Sequence, residues 1–150
     1  MTRRLFTLIA AITTVGTGAA QADTVCRASS MRGTWLLSMV APGGSPTNLC
    51  ELSVNRRGFF SGQCIVTDRN GQGGTETFTP SVSGRMVMRA GCAITGRLVM
   101  EGEAASLEGT VWAPVDAVPV AGSVLMQQAG YPAVTGQLLR RHDANASLFD

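Results

Sequence analysis

The chain has 150 residues, 45% of them hydrophobic, which is enough apolar material for one independently folding domain and too much for a disordered one. Twelve arginines and no lysine stand against ten acids. Two of those arginines sit at the extreme N-terminus, so the remainder is close to neutral and lacks the basic surplus that nucleic-acid binding requires. A single histidine leaves little material for acid–base chemistry, so the sequence reads as a protein without enzymatic activity.

Met1-Thr2-Arg3-Arg4 is a basic start, Leu5 to Ala20 is apolar, and Ala20-Gln21-Ala22 is a small-x-small site. This predicts a cleaved signal peptide over 1–22 and a mature chain beginning at Asp23. Thr13, Thr14, Gly16, Thr17 and Gly18 break the apolar run and argue against a membrane anchor. No later segment is long and apolar enough to span a bilayer as a helix, so no integral membrane segment is expected after cleavage. Val25, where a small residue would be needed, argues against lipidation at Cys26. The expected location is periplasmic or secreted. Cys26, Cys50, Cys64 and Cys92 all lie beyond the signal, and an even count in an exported chain predicts two disulfides.

Residues 23–32 show no period and read as an N-terminal arm held by Cys26. Gly33 to Val40 is a predicted strand with Trp35, Leu37 and Met39 on one face, and residues 41–48, with Pro42, Gly43, Gly44 and Pro46, are a loop. From Cys50 to Cys64 apolar and polar residues alternate on both sides of Asn55-Arg56-Arg57-Gly58. That tetrapeptide fits a three-residue hairpin loop with Gly58 left-handed. Such a loop pairs Val54 with Phe60, Leu52 with Gly62 and Cys50 with Cys64, the last in the closely spaced, non-hydrogen-bonded type of pair. A cross-strand disulfide Cys50–Cys64 follows, and Cys26–Cys92 is left as the second bridge.

Residues 68–74 are another turn, with Asn70-Gly71 its strongest signal, and Thr75 to Thr79 a Thr-rich strand. A second hairpin repeats the logic of the first. With Gly91 left-handed in Met88-Arg89-Ala90-Gly91-Cys92, Met88 faces Cys92, Met86 faces Ile94 and Gly84 faces Gly96. Residues 101–106 are a predicted turn. Residues 107–113, 120–127 and 133–141 complete the strands, with 114–119 a proline-bracketed connection. Residues 142–150 are a polar tail. The recurrence of Gly62, Gly84, Gly96, Gly109, Gly122 and Gly136 inside strands suits tight coiling. The expectation over 33–141 is an all-β, antiparallel up-and-down barrel of about eight strands, with a β-sandwich as the alternative.

Candidate chemistry is sparse. His142 sits among Arg140, Arg141 and Asp143 beside the tail and reads as solvated. Met86-Val87-Met88 could offer thioethers to Cu(I), but Met86 and Met88 share the apolar face of their strand with the core. Arg85 and Arg97 could form a small anion patch on the outer face. No cofactor and no metal site are expected.

Gly33-x-Trp35-x-Leu37, Cys50-x-Leu52-x-Val54 and Gly62-x-Cys64 together resemble the Inh family of bacterial periplasmic metalloprotease inhibitors. The resemblance covers residues 33–66. It implies a lipocalin-like eight-stranded barrel with a disulfide between early strands, and an N-terminal arm that enters a protease cleft. The second half departs from that family, where Trp112 and Asp116 only echo a later Trp and Asp-Gly turn, and Cys26 and Cys92 exceed its usual single bridge. Two functions are therefore weighed. The first is a non-enzymatic binding module with a protein partner such as a secreted protease, contacted through Asp23, Thr24, Val25, Arg27 and Arg32 or the loops 41–48 and 69–74. The second is a carrier whose interior residues Trp35, Met39, Phe60, Met86, Met88 and Met100 hold a small apolar ligand.

Overall fold

The computed structural model describes residues 26–70, 72–113, 118–142 and 148–149. The predicted signal segment, residues 23–25 of the arm and most of the tail lie outside these. The described residues form a closed antiparallel β-barrel built from β1 (Gly33–Val40), β2 (Thr47–Val54), β3 (Phe59–Arg69), β4 (Thr75–Phe78), β5 (Ser81–Met88), β6 (Ala93–Met100), β7 (Glu103–Trp112), β8 (Ala121–Gln128) and β9 (Val134–Arg140). Consecutive strands pair throughout except that β4 and β5 both pair with β3, and β9 returns to β1, so the expected barrel is found and the sandwich is not.

Nine segments make eight staves, because β4 and β5 are one strand interrupted by Pro80. Val66 faces Phe78 and Gln63 faces Ser81, so both halves keep the same register against β3. Between them the Cys64 N–H donates to the Pro80 carbonyl at 3.0 Å, while Pro80 has no N–H to return. That bond also directs the Cys64 amide away from β2. Cys50–Cys64 is thus the non-hydrogen-bonded pair that the sequence predicts, bridged in the core with both residues fully buried.

The first hairpin closes as expected. The Asn55 N–H donates to the Phe59 carbonyl (2.9 Å), Asn55 Oδ1 accepts from the Arg57 and Phe59 amides, and Gly58 has φ 79°. The same construction recurs at Asn70, whose Oδ1 accepts from the Gln72 and Gly74 amides, with Gly73 left-handed. The second hairpin departs from expectation. Met88 faces Ile94, Met86 faces Gly96 and Gly84 faces Leu98, a slip of two residues on β6. The cause is at the turn: Arg89 pairs with Ala93, and Cys92 (φ 63°), following a left-handed Gly91, occupies the position that Gly58 holds in the first hairpin. Cys92 therefore belongs to the loop, where it bridges Cys26 at a Cα separation of 5.0 Å. A slip of two leaves every side chain on its predicted face, so the core is unaffected. The predicted turn over 101–106 shrinks to Glu101-Gly102. Both residues are left-handed in the two-residue hairpin geometry, and Met100 pairs directly with Glu103.

One contiguous apolar core fills the barrel, and no polar or charged residue among the described residues is fully buried. The strand glycines lie on its inner face and follow a diagonal. Gly62 faces Val82 and its neighbour glycine is Gly84. Gly84 faces Leu98 beside Gly96, Gly96 faces Leu107 beside Gly109, and Gly109 faces Val124 beside Gly122. A Cβ at Gly62 would overlap the Glu51 carbonyl, and one at Gly84 would overlap the Arg97 carbonyl and the Phe60 ring. Missing side chains along this diagonal let neighbouring backbones coil tightly enough to close a small barrel. The two disulfides are of the kind that persists in oxidising, extracytoplasmic compartments.

Candidate ligand-binding site

The two ends of the barrel differ. One end is sealed by the start of the chain, where a 3-10 turn over Ala28–Met31 drives Met31 into the core (2% exposed). The Trp35 Nε1–H donates to the Met31 carbonyl at 2.7 Å. Arg140 at the end of β9 holds the same turn from the other side. Its Nη1 donates to the Ser30 carbonyl (2.9 Å) and the Pro119 carbonyl (3.2 Å), its Nη2 donates to the Arg32 carbonyl, and its guanidinium lies over the Trp35 ring. Cys26–Cys92 fastens the arm to the β5–β6 loop, and Arg141 pairs with Glu51 at 2.8 Å.

The opposite end is open. The loops β1–β2 (41–46), β6–β7 (101–102) and β8–β9 (129–133) surround a cavity of about 480 Å³ that reaches down between the strands. Val66, Leu98, Met100, Ala105, Met126 and Val134 form its apolar floor and walls. Above them the strand alternation brings Asn48, Asp68, Glu103 and Gln128 inward, each in phase with buried residues of its strand, and Glu101 and Tyr131 stand on the rim. The Asp68 Oδ1 accepts from Ser45 Oγ (2.8 Å) and the Arg69 amide (2.7 Å), and Gln128 Nε2 donates to Glu103 Oε2 (3.3 Å). The Asn48 Oδ1 is buried and accepts no hydrogen bond from the described residues.

Charge follows the same polarity. Among the described residues, Asp68, Glu76, Glu101 and Glu103 lie at the open end with Arg69. Arg27, Arg32, Arg56, Arg57, Arg89, Arg140 and Arg141 lie at the sealed end.

Of the predicted partner contacts, Asp23, Thr24 and Val25 fall outside the described residues. Arg27 and Arg32 are exposed at the sealed end, where Arg32 lines a shallow surface with Asn55, Arg56 and Arg57. Of the predicted interior residues only Met100 borders the cavity. Trp35, Met39, Phe60 and Met86 are buried in the packed core and Met88 is packed against it. Small barrels fill with side chains, and here the filling stops about two residues short of the open rim. His142 is exposed, and no group of three or more His, Cys, Asp or Glu among the described residues could hold a metal ion. No helix among the described residues is long and apolar enough to cross a membrane.

The polar ring was missed by sequence reasoning, although a signal existed. Asn48 is in phase with Cys50, and Asp68 with Cys64 and Val66, so the alternation already turns them inward.

No protein-family model matches the chain, and no curated protein is similar to it in sequence. Among solved structures, a redesigned β-barrel superposes with a TM-score of 0.53 at 15% identity, over 78% of this chain and 97% of that one. A de novo designed fluorescence-activating β-barrel gives 0.48 at 14% identity, over 76% and 96%. A structure of EF1p2_mFAP2b bound to DFHBI gives 0.49 at 12%, over 83% and 100%. The likeness is one of fold. Fold and site together define a small disulfide-bonded β-barrel with one end plugged by its own N-terminal turn and the other opening into a cavity.

Proposed function

We propose that this is an exported, non-enzymatic binding protein that takes a small, largely apolar molecule into the open end of its barrel. The observation that carries this reading is the cavity of about 480 Å³ over an apolar floor, within the size range of small-ligand sites. The sealed end supports it, because the arm is fixed by Cys26–Cys92 and Met31 fills the barrel base. An inhibitor acting through its arm, the function that the family resemblance implies, would have residues 23–25 available beyond the Cys26 tether. Residues 28–31 are committed to the plug. Export into an oxidising compartment is supported by the two bridges.

The test is a titration of the oxidised protein with a neutral environment-sensitive dye such as N-phenylnaphthylamine. Saturable, one-to-one enhancement that small apolar competitors reverse is expected. A linear, unsaturable response overturns the reading.

A further inference from the structure

The ligand reading above leaves the chemical class of the ligand open, and the top of the cavity narrows it. We infer that the site selects molecules in which a compact apolar body carries a positively charged, hydrogen-bond-donating head, seated among Asp68, Glu101 and Glu103. This inference rests on the reading of the cavity as a ligand site.

Two features converge. First, the lining is acidic and holds no basic side chain: Asp68, Glu101 and Glu103 border the cavity, and the nearby Arg69 is out of phase with the inward residues of β3. Second, the carboxylates are only partly engaged. Asp68 takes both of its hydrogen bonds on Oδ1, Glu103 takes its one on Oε2, and Glu101 takes none from the described residues. Ser45 and the Arg69 amide fix the Asp68 carboxylate in place before any ligand arrives, so little ordering remains at the moment of binding. An ammonium offers three N–H donors and a positive charge to a ring of acceptors. An anionic head would meet like charge with no cation to offset it.

The distribution of charge over the molecule acts in the same direction. Among the described residues four of the six acids lie at the open end and seven of the ten arginines at the sealed base, so the field at the entrance favours cations over anions, to an extent that salt reduces. Beneath the head, Leu98, Met100 and Met126 accommodate the apolar body, and the two methionines adapt to its shape.

The experiment uses three probes with one body and different heads: naphthylmethylamine, naphthalenemethanol and naphthoate, titrated into the oxidised protein at neutral pH by calorimetry. The expected order is amine, then alcohol, then carboxylate. The amine should exceed the carboxylate by at least about tenfold in affinity, and that gap should shrink severalfold between low and high salt. In the double variant Glu101→Gln, Glu103→Gln the amine should lose most of its advantage over the alcohol, and the remainder, owed to Asp68, should still shrink with salt. Both side chains are exposed, so the variant folds. Equal affinity for all three probes, or tighter binding of the carboxylate, overturns the inference while leaving the ligand site standing. Failure of all three to bind overturns the ligand site itself, and the inference with it.

Discussion

The guanidinium of Arg140 lies over the Trp35 ring, 5.7 Å from its centroid, while both residues donate hydrogen bonds to carbonyls of the same short N-terminal segment. The last strand thereby locks the first strand to the plug. Arg140→Ala removes charge-assisted bonds to Ser30, Pro119 and Arg32 together with the ring contact, and should destabilise the protein by about 2–4 kcal/mol. Arg140→Lys should recover less than half of that, because one ammonium cannot reproduce a planar fork. Urea denaturation of both variants measures the two losses. Equal stability of Arg140→Lys and the parent would contradict this account of the seal.

Gly62 has no room for a methyl group, since its Cβ would occupy the space of the Glu51 carbonyl and press on Leu52. Backbone cannot move aside as a side-chain tip can, so Gly62→Ala should cost at least about 3 kcal/mol, beyond ordinary overpacking. Gly102→Ala meets open space but keeps a φ of 87°, and should cost only about 1 kcal/mol. Thermal melts of the two variants side by side test the difference. Similar melting temperatures would remove close strand approach as the reason for the glycine diagonal.

How much of this was legible beforehand depends on what each residue's position obeys. The Cys50–Cys64 pairing follows from local rules alone, because an Asn-x-x-Gly loop fixes register and alternation fixes faces. The second hairpin misleads because Cys92, not Gly91, takes the strained position next to Ala93. A left-handed cysteine is not a local preference, and its bridge to Cys26 is a contact 66 residues away. The cavity was illegible for a different reason. Asn48, Asp68, Glu103 and Gln128 come from four strands, and which of them share a rim depends on barrel closure. Their inward phase was readable, but their convergence was not.

The two disulfides should differ in how readily they open. Cys50 and Cys64 are wholly buried, whereas Cys26 is 8% exposed and Cys92 is half-buried in a loop. Mild reductant should therefore release Cys26 and Cys92 first, with the far-UV spectrum of the barrel retained. In chain-entropy terms, the separations of 66 and 14 residues correspond to about 4 and 3 kcal/mol respectively. Timed alkylation and peptide mapping read the order. Prior labelling of Cys50 and Cys64 would count against a barrel that shields them.

Met126 is 8% exposed and faces the cavity from β8. Met126→Trp should fill the cavity and abolish dye uptake, with stability altered by no more than about 1–2 kcal/mol because the added volume enters open space. Trp112→Ala, on the outer surface, should leave uptake unchanged. Undiminished uptake by Met126→Trp would place the dye elsewhere.

Cys26 and His142 both lie at the plugged base, so the chain enters and leaves the barrel on one side. A tether joined through either end of the domain would hang beneath it, so immobilisation or fusion there leaves the entrance unobstructed and facing away from the support.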